Sequence, residues 1–261
     1  MNRILGTLSQ GILGCTLALG LFGALDGAAA TSSETVLHFF AGSQGDGAYP
    51  FAGLTLDRAG DLYGTTLSAG TGTCSDYGSG CGTIFELAPS GVETVLYSFQ
   101  GGKDGAHPYA GLLLDGGGNL YGTTSSGGTG SGTVFKLAPN GVETLLYSFH
   151  GGTDGAYPNA GLIRDSSGNL YGTTAFGGSG VVCGNNGCGT IFKLAPNGAE
   201  TVLYSFCSQA NCADGDGPNG VVMDSQGNFY GTTNYGGAGG AGTIFKRASN
   251  GVETTFYSFC S

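Results

Sequence analysis

Four aspartates recur in one phrase of this chain: Asp46, Asp104, Asp154 and Asp214 stand in "DGAYP", "DGAHP", "DGAYP" and "DGDGP". A carboxylate repeated at one place in successive units can cap a turn, or join its copies in a ring that binds cations or sugar hydroxyls. Turn capping is the simpler reading and the ring its rival. A calcium loop comes to mind at "ADGDGPN", residues 213–219, but Pro218 occupies the place where a further ligand is wanted. Calcium is a weak match, and no cofactor is expected. A second set, Asp57, Asp115, Asp165 and Asp224, opens glycine turns such as "DGGGN", where capping explains them without any site.

The three histidines are the other source of acid–base chemistry. His38 replaces the tyrosine seen as Tyr97 and Tyr147, His107 replaces Tyr49 or Tyr157, and His150 stands where Gln100 and Cys207 stand. None recurs, and no Ser/His/Asp order or metal-type spacing links them. No catalytic residue and no metal ligand is expected.

These residues need a frame, and the frame is repetitive. "ETVLHFF" at Glu34 returns in close variants at Glu93, Glu143, Glu200 and Glu253, with spacings of 59, 50, 57 and 53 residues. The units run over about 34–92, 93–142, 143–199 and 200–252, with a partial unit at 253–261. Within unit two the order is "AGLLLD", a glycine turn, "NLYGTT", a variable loop, "GTVFKLAPNG" and "VETLLYSF", and the others follow it. Asp and Gly in "DGGGN", and Pro and Gly in "APNG", are turn residues for physical reasons: side-chain capping, a preset φ and access to positive φ. The segments between them are β-branched, aromatic and aliphatic, with no helical period. Each unit reads as a four-stranded antiparallel meander. In "GTIFELA" apolar groups point both ways, so the sheet wants cover on both faces, as blades stacked around an axis have. The fold expected is all-β, of β-propeller type: four full units plus one extra outer strand from the leading "ETVLHFF", in an incomplete ring.

The pattern "YSF...DGA.P.AGL..D..GNLYGTT...GGT..GTVFKLAPNG.ET" resembles the bacterial GloVer tandem repeat, over Glu34 to the end. Its Asp-turn-strand grammar also looks like NHL or lactonase-type blades. The GloVer resemblance implies exported, surface or secreted repeat proteins with no established activity, often tethered by a C-terminal anchor. The lactonase resemblance implies a metal at the axis held by carboxylate and Asn side chains, and no unique Glu or Asn on an inner strand lets those ligands be carried over.

Cysteines follow the insertions. The loop after "YGTT" holds 7 and 8 residues in units two and four but 15 and 14 in units one and three, and the long loops carry Cys74 with Cys81 and Cys183 with Cys188. The longer loop after Phe206 carries Cys207 and Cys212. An oxidised staple offsets the entropy of ordering a longer exposed loop. The expected disulfides are Cys74–Cys81, Cys183–Cys188 and Cys207–Cys212, which leaves Cys260 without a mate. Cys260 directly follows "YSF" as Cys207 does, so the chain is expected to lack the rest of a loop, further blades and an anchor; a free or intermolecular thiol on a complete chain is the alternative.

Composition narrows the partners. A formal charge of -10 with only 8 Lys and Arg argues against nucleic acid. Arg3, the apolar stretch Ile12–Leu25 and the small residues 28–30 read as a signal peptide over 1–30, followed by a mature domain over 31–261. No other stretch is long and apolar enough to span a bilayer. In a meander the loops after strands two and four emerge on one side, opposite both tight turns. That side gathers the length variation, the paired cysteines, Asp46, Asp104, Asp154 and Asp214, and the aromatic residues Tyr77, Phe176 and Tyr235, with Tyr49, Tyr109 and Tyr157 near the first strands. Variable loops on a rigid scaffold are where binding usually lives. The function expected is an exported, non-catalytic interaction or structural module, secreted, periplasmic or on the cell surface, with a glycan or a surface protein as partner. The alternative is a propeller hydrolase or lactonase with a metal at the axis.

Overall fold

The computed structural model describes residues 34–260 apart from 43–44, 76, 78, 181–182 and 184–185. The signal peptide expected at 1–30 lies outside the described residues. The chain divides into a unit ending at Val36 and a second unit from Leu37, which holds every strand. In the first, the described residues 34–36 carry no regular secondary structure.

Four antiparallel sheets follow one another, each a meander of four strands in sequence order. The first contains Thr55–Leu56, Leu62–Thr66, Thr83–Leu87 and Glu93–Ser98. The second contains Leu113–Leu114, Leu120–Thr124, Thr133–Leu137 and Glu143–Ser148. Ile163–Arg164, Leu170–Thr174, Thr190–Leu194 and Glu200–Ser205 make the third; Asp216–Met223, Phe229–Tyr235, Gly240–Arg247 and Glu253–Cys260 make the fourth. These are blades of β-propeller type, as the repeat predicts.

Each letter of "LYGTT" has a task, visible in the second sheet. Leu120 is buried in the core. The Tyr121 hydroxyl donates to Asp115 Oδ2 at 3.1 Å, tying the strand to its own turn. Gly122 lies opposite Phe135, and a Cβ there would run into the ring. The Thr123 hydroxyl donates to the Ala160 carbonyl of the next sheet at 3.5 Å. Thr124 meets Thr133 across the strands, hydroxyl to hydroxyl, at 2.7 Å. A sequence so fully committed has little freedom to vary, which is why it recurs.

The turns behave as their residues dictate. Asp115 Oδ1 accepts from the amides of Gly117 and Asn119, each at 2.9 Å, and Gly118 takes φ 78°. Burial pushes the Asp115 carboxyl up, but the hydrogen bonds from Asn119, Gly117 and Tyr121 outweigh it and bring the group below its ordinary range.

The core is a series of layers between consecutive sheets. Ile84 and Phe99 of the first sheet and its edge join Leu112, Leu120 and Phe135 of the second. Val134 and Phe149 join Leu162, Leu170 and Phe192; Ile191 and Phe206 join Val221, Phe229 and Phe245. The phenylalanine of each "YSF" thus lodges edge-on against the "GTxF" phenylalanine of the following sheet: Phe99 on Phe135, Phe149 on Phe192 and Phe206 on Phe245, at 5.1, 5.1 and 5.0 Å. Residues 37–40 pair with no strand among the described residues, yet Phe40 meets Phe85 in the same way at 5.0 Å.

Candidate functional site

The segments leading into the first strands of consecutive sheets approach one another through small residues. A Cβ on Gly111 would come within 3.1 Å of the Gly53 carbonyl, so a side chain there would press on the neighbouring backbone. Beside these strands lies a cleft of about 660 Å³ whose walls include Tyr109, Asn159 and Asn219 as well as Val222, Thr232 and Ile244. Its lining carries no carboxylate, imidazole or ammonium group. Asn159 Oδ1 is shielded from solvent and has no hydrogen-bond partner among the described residues.

Tyr109, Asn159 and Asn219 share a position with Phe51: each directly follows the loop proline of its repeat. The residue before that proline has positive φ in all four repeats: Tyr49 at 61°, His107 at 60°, Tyr157 at 56° and Gly217 at 63°. For a non-glycine residue this costs about 1 kcal/mol or more. Contacts to the preceding sheet hold it in place. His107 and Tyr157 donate their amides to the carbonyls of Cys81 and Ser131 at 2.8 Å, and Pro108 and Pro158 press on Gly82 and Gly132. The forced bend presents aromatic faces to solvent. Phe51 stacks on Tyr109 at 5.3 Å and 21°, and Tyr49 lies nearly parallel to Phe51 at 6.1 Å. All three rings are exposed.

The other aromatic candidates are placed separately. Tyr77 is exposed and meets buried His107 edge-on at 4.9 Å; Phe176 meets Tyr157 at 5.5 Å; Tyr235 is exposed opposite Asp216 in the fourth sheet. His107 also contacts the Leu67 carbonyl through Nδ1 at 3.0 Å.

The four aspartates hold their own loops. Asp104 accepts from the Tyr97 hydroxyl and the Gln100 amide, Asp154 from Tyr147 and the His150 amide, and Asp46 from the amides of Ala41 and Gly47. Asp214 is fully buried and accepts from Tyr204 at 2.7 Å and from the Ser208 amide at 2.9 Å. In the calcium-like segment Asp216 begins the first strand of the fourth sheet, where burial raises its carboxyl.

Sequence reading missed a partner. The glutamate that opens each outer strand lies near these aspartates. Burial, then the charge of Asp104, pushes Glu143 up to about 7; burial and Asp154 do the same for Glu200, and burial and Asp214 for Glu253. The signal was the invariance of that Glu across the five copies of the phrase. In the first repeat His38 takes the tyrosine's place, and one ligand atom each from His38, Asp46 and Glu93 lie within 4.8 Å of one another. That is the one set of imidazole and carboxylates among the described residues with a spacing that could hold a metal ion. The sulfurs of Cys183, Cys188, Cys207 and Cys212 are equally close, but they are paired in disulfides. Cys74–Cys81, Cys183–Cys188 and Cys207–Cys212 form as expected, and Cys260 is free and exposed.

Four-stranded blades around an uncharged cleft define a propeller-type protein, and solved structures agree on that fold. A gluconolactonase from Xanthomonas campestris superposes with a TM-score of 0.53 at 16% identity, covering 82% of this chain and 64% of that one. The extracellular domain of a one-component system from B. thetaiotaomicron superposes at 0.51 and 10% identity, over 82% of this chain and 23% of that one. This chain spans less than two thirds of the length of either. No curated protein is similar to it in sequence. The Gloeobacter/Verrucomicrobia repeat matches residues 20–182 and again 71–261, and the chain belongs to that family. No helix among the described residues is long and apolar enough to cross a membrane.

Proposed function

We propose that this chain is exported and acts outside the cytoplasm as a non-catalytic binding module for neutral carbohydrate, taken on the loop side of the sheets. The observation that carries this is the exposed stacked run Tyr49, Phe51 and Tyr109, continued at the same repeat position by the amides of Asn159 and Asn219. Aromatic faces receive the C–H faces of sugars, and amides bond their hydroxyls. Three disulfides fit an oxidising compartment. Hydrolysis with a metal at the axis would ask for carboxylates in the cleft, and its lining supplies amides and apolar groups instead. The test is affinity electrophoresis against a panel of neutral polysaccharides, followed by calorimetry on any that retard the chain. Tyr109→Ala and Phe51→Ala should each weaken binding about 10-fold. Val142→Ala, at a tight turn on the opposite side, should leave it unchanged. Retardation by none of the panel, or equal loss in all three variants, removes the reading.

A further inference from the structure

The tyrosines of three "YSF" phrases share one task. Tyr147 and Tyr204 donate their hydroxyls to Asp154 and Asp214 at 3.0 and 2.7 Å, and Tyr97 donates to Asp104 in the same way. These are ordinary hydrogen bonds. The leading phrase has His38 in the tyrosine's place, and its Nε2 stands 3.4 Å from Asp46 Oδ1. That is long for a hydrogen bond between an imidazole and a carboxylate. It matches the separation of two ligands on one tetrahedral ion, about 3.4 Å when each lies about 2.0–2.2 Å from the metal.

Glu93 supplies a third ligand. It opens the outer strand of the first sheet, and its Oε1 is shielded from solvent with no hydrogen-bond partner among the described residues. It brings one ligand atom within 4.8 Å of those of His38 and Asp46. Glu143 and Glu200 also hold shielded, unpartnered Oε1 atoms, so the spare acceptor belongs to the repeat, and what sets Glu93 apart is the imidazole beside it. His150 does not repeat the arrangement. It approaches Asp154 at 3.3 Å, but its side chain is 68% exposed and it joins no third ligand among the described residues.

We propose that His38, Asp46 and Glu93 form a binding site for a divalent transition-metal ion, with zinc the ion that fits best. One imidazole and two carboxylates suit a borderline ion, and two negative charges offset its own. Asp46 is oriented by the amides of Ala41 and Gly47, one on each oxygen, which leaves each oxygen a further lone pair. The side chains of His38 and Asp46 are 23% and 13% exposed, so the ion has a way in and water can complete its coordination. Bound there, the ion ties the leading phrase, which pairs with no strand among the described residues, to the outer strand of the first sheet. The site is separate from the uncharged cleft, whose lining includes none of the three residues, and it does not rest on carbohydrate binding.

Calorimetric titration of the untagged full chain with zinc tests it, after a chelator has stripped adventitious metal and with Cys260→Ser so that the exposed thiol takes no ion. The parent should take up one zinc, and its thermal midpoint should rise with zinc concentration. His38→Tyr restores the residue of the other repeats and so keeps the fold. It and Glu93→Gln should each weaken uptake about 100-fold. His150→Ala and Glu143→Gln should leave uptake unchanged, and calcium, which asks for oxygen ligands, should not compete. A parent that takes up no zinc, uptake that survives His38→Tyr, loss of uptake in His150→Ala, or displacement by calcium overturns the proposal. Circular dichroism of each metal-free variant separates a lost ligand from a lost fold.

Discussion

The third and fourth sheets are near copies in sequence and topology, yet their side chains have different worth. Ile191 and Ile244 sit at the same register of the third strand, and only the first is shut away from water. Thr173 bonds across a boundary; Thr232 faces solvent. A residue in a stacked repeat is therefore valued by the unit beside it more than by its own sheet.

That contrast can be pressed hardest at the phenylalanines. Phe206→Ala should cost about 3–5 kcal/mol in urea unfolding, and Phe259→Ala about 1 kcal/mol or less, since its ring is already partly wet. Equal losses would mean that the sheets are valued alone. Next come the staples. Cys188, Cys207 and Cys212 lie in the layer between the third and fourth sheets, and the layer between the second and third holds no cysteine. Removing Cys207–Cys212 by a double serine substitution should cost about 2–3 kcal/mol, and hydrogen exchange should report the loss at the third boundary ahead of the second. Smaller again is the threonine pair: Thr190→Val removes the buried hydroxyl bond to Thr174 at 2.8 Å but leaves Thr174 bonded to the Phe176 carbonyl and the Thr190 amide, and should cost about 1 kcal/mol, while Thr232→Val should be close to silent.

The pH profile sharpens the comparison in another way, with effects of opposite sign at two sites of the same repeat. Glu143, Glu200 and Glu253 titrate at about 7 in the folded chain, against about 4.3 when unfolded. Between those values the folded chain holds protons that the unfolded chain has released. Stability should therefore fall as pH rises through that window and level off above it. Glu200→Gln should flatten one share of the slope. Asp224 runs the other way: hydrogen bonds from Asn228 hold its carboxyl at about 2, so its contribution is present above about pH 4 and is lost as pH falls toward 2. Asp224→Asn should remove that acid-side slope in denaturant titrations at stepped pH.

Much of the fold was legible because its local chemistry is repeated. Asp115, Gly118, Gly141 and the paired threonines act within a few residues or across one hairpin, so sequence order already places their partners. The disulfides were legible for the same reason, each closing a short inserted loop. The site was harder to read. Glu143 feels the charge of Asp104 across some forty residues of chain, a proximity that no spacing encodes. Phe51, Tyr109, Asn159 and Asn219 share one position but not one side-chain type, so they form no motif. Tyr109, Asn159 and Asn219 are neighbours because they line the same cleft, and Phe51 joins them by stacking on Tyr109.

One consequence concerns how such a chain changes length over evolution. The phenylalanine that ends one "YSF" serves the sheet that follows, so the covalent repeat and the packed layer are out of phase. Recombination between any two copies of the phrase would insert or delete a whole sheet while every surviving boundary kept the same pair of rings. Gene length can then change in steps of one repeat without any compensating mutation in the interior.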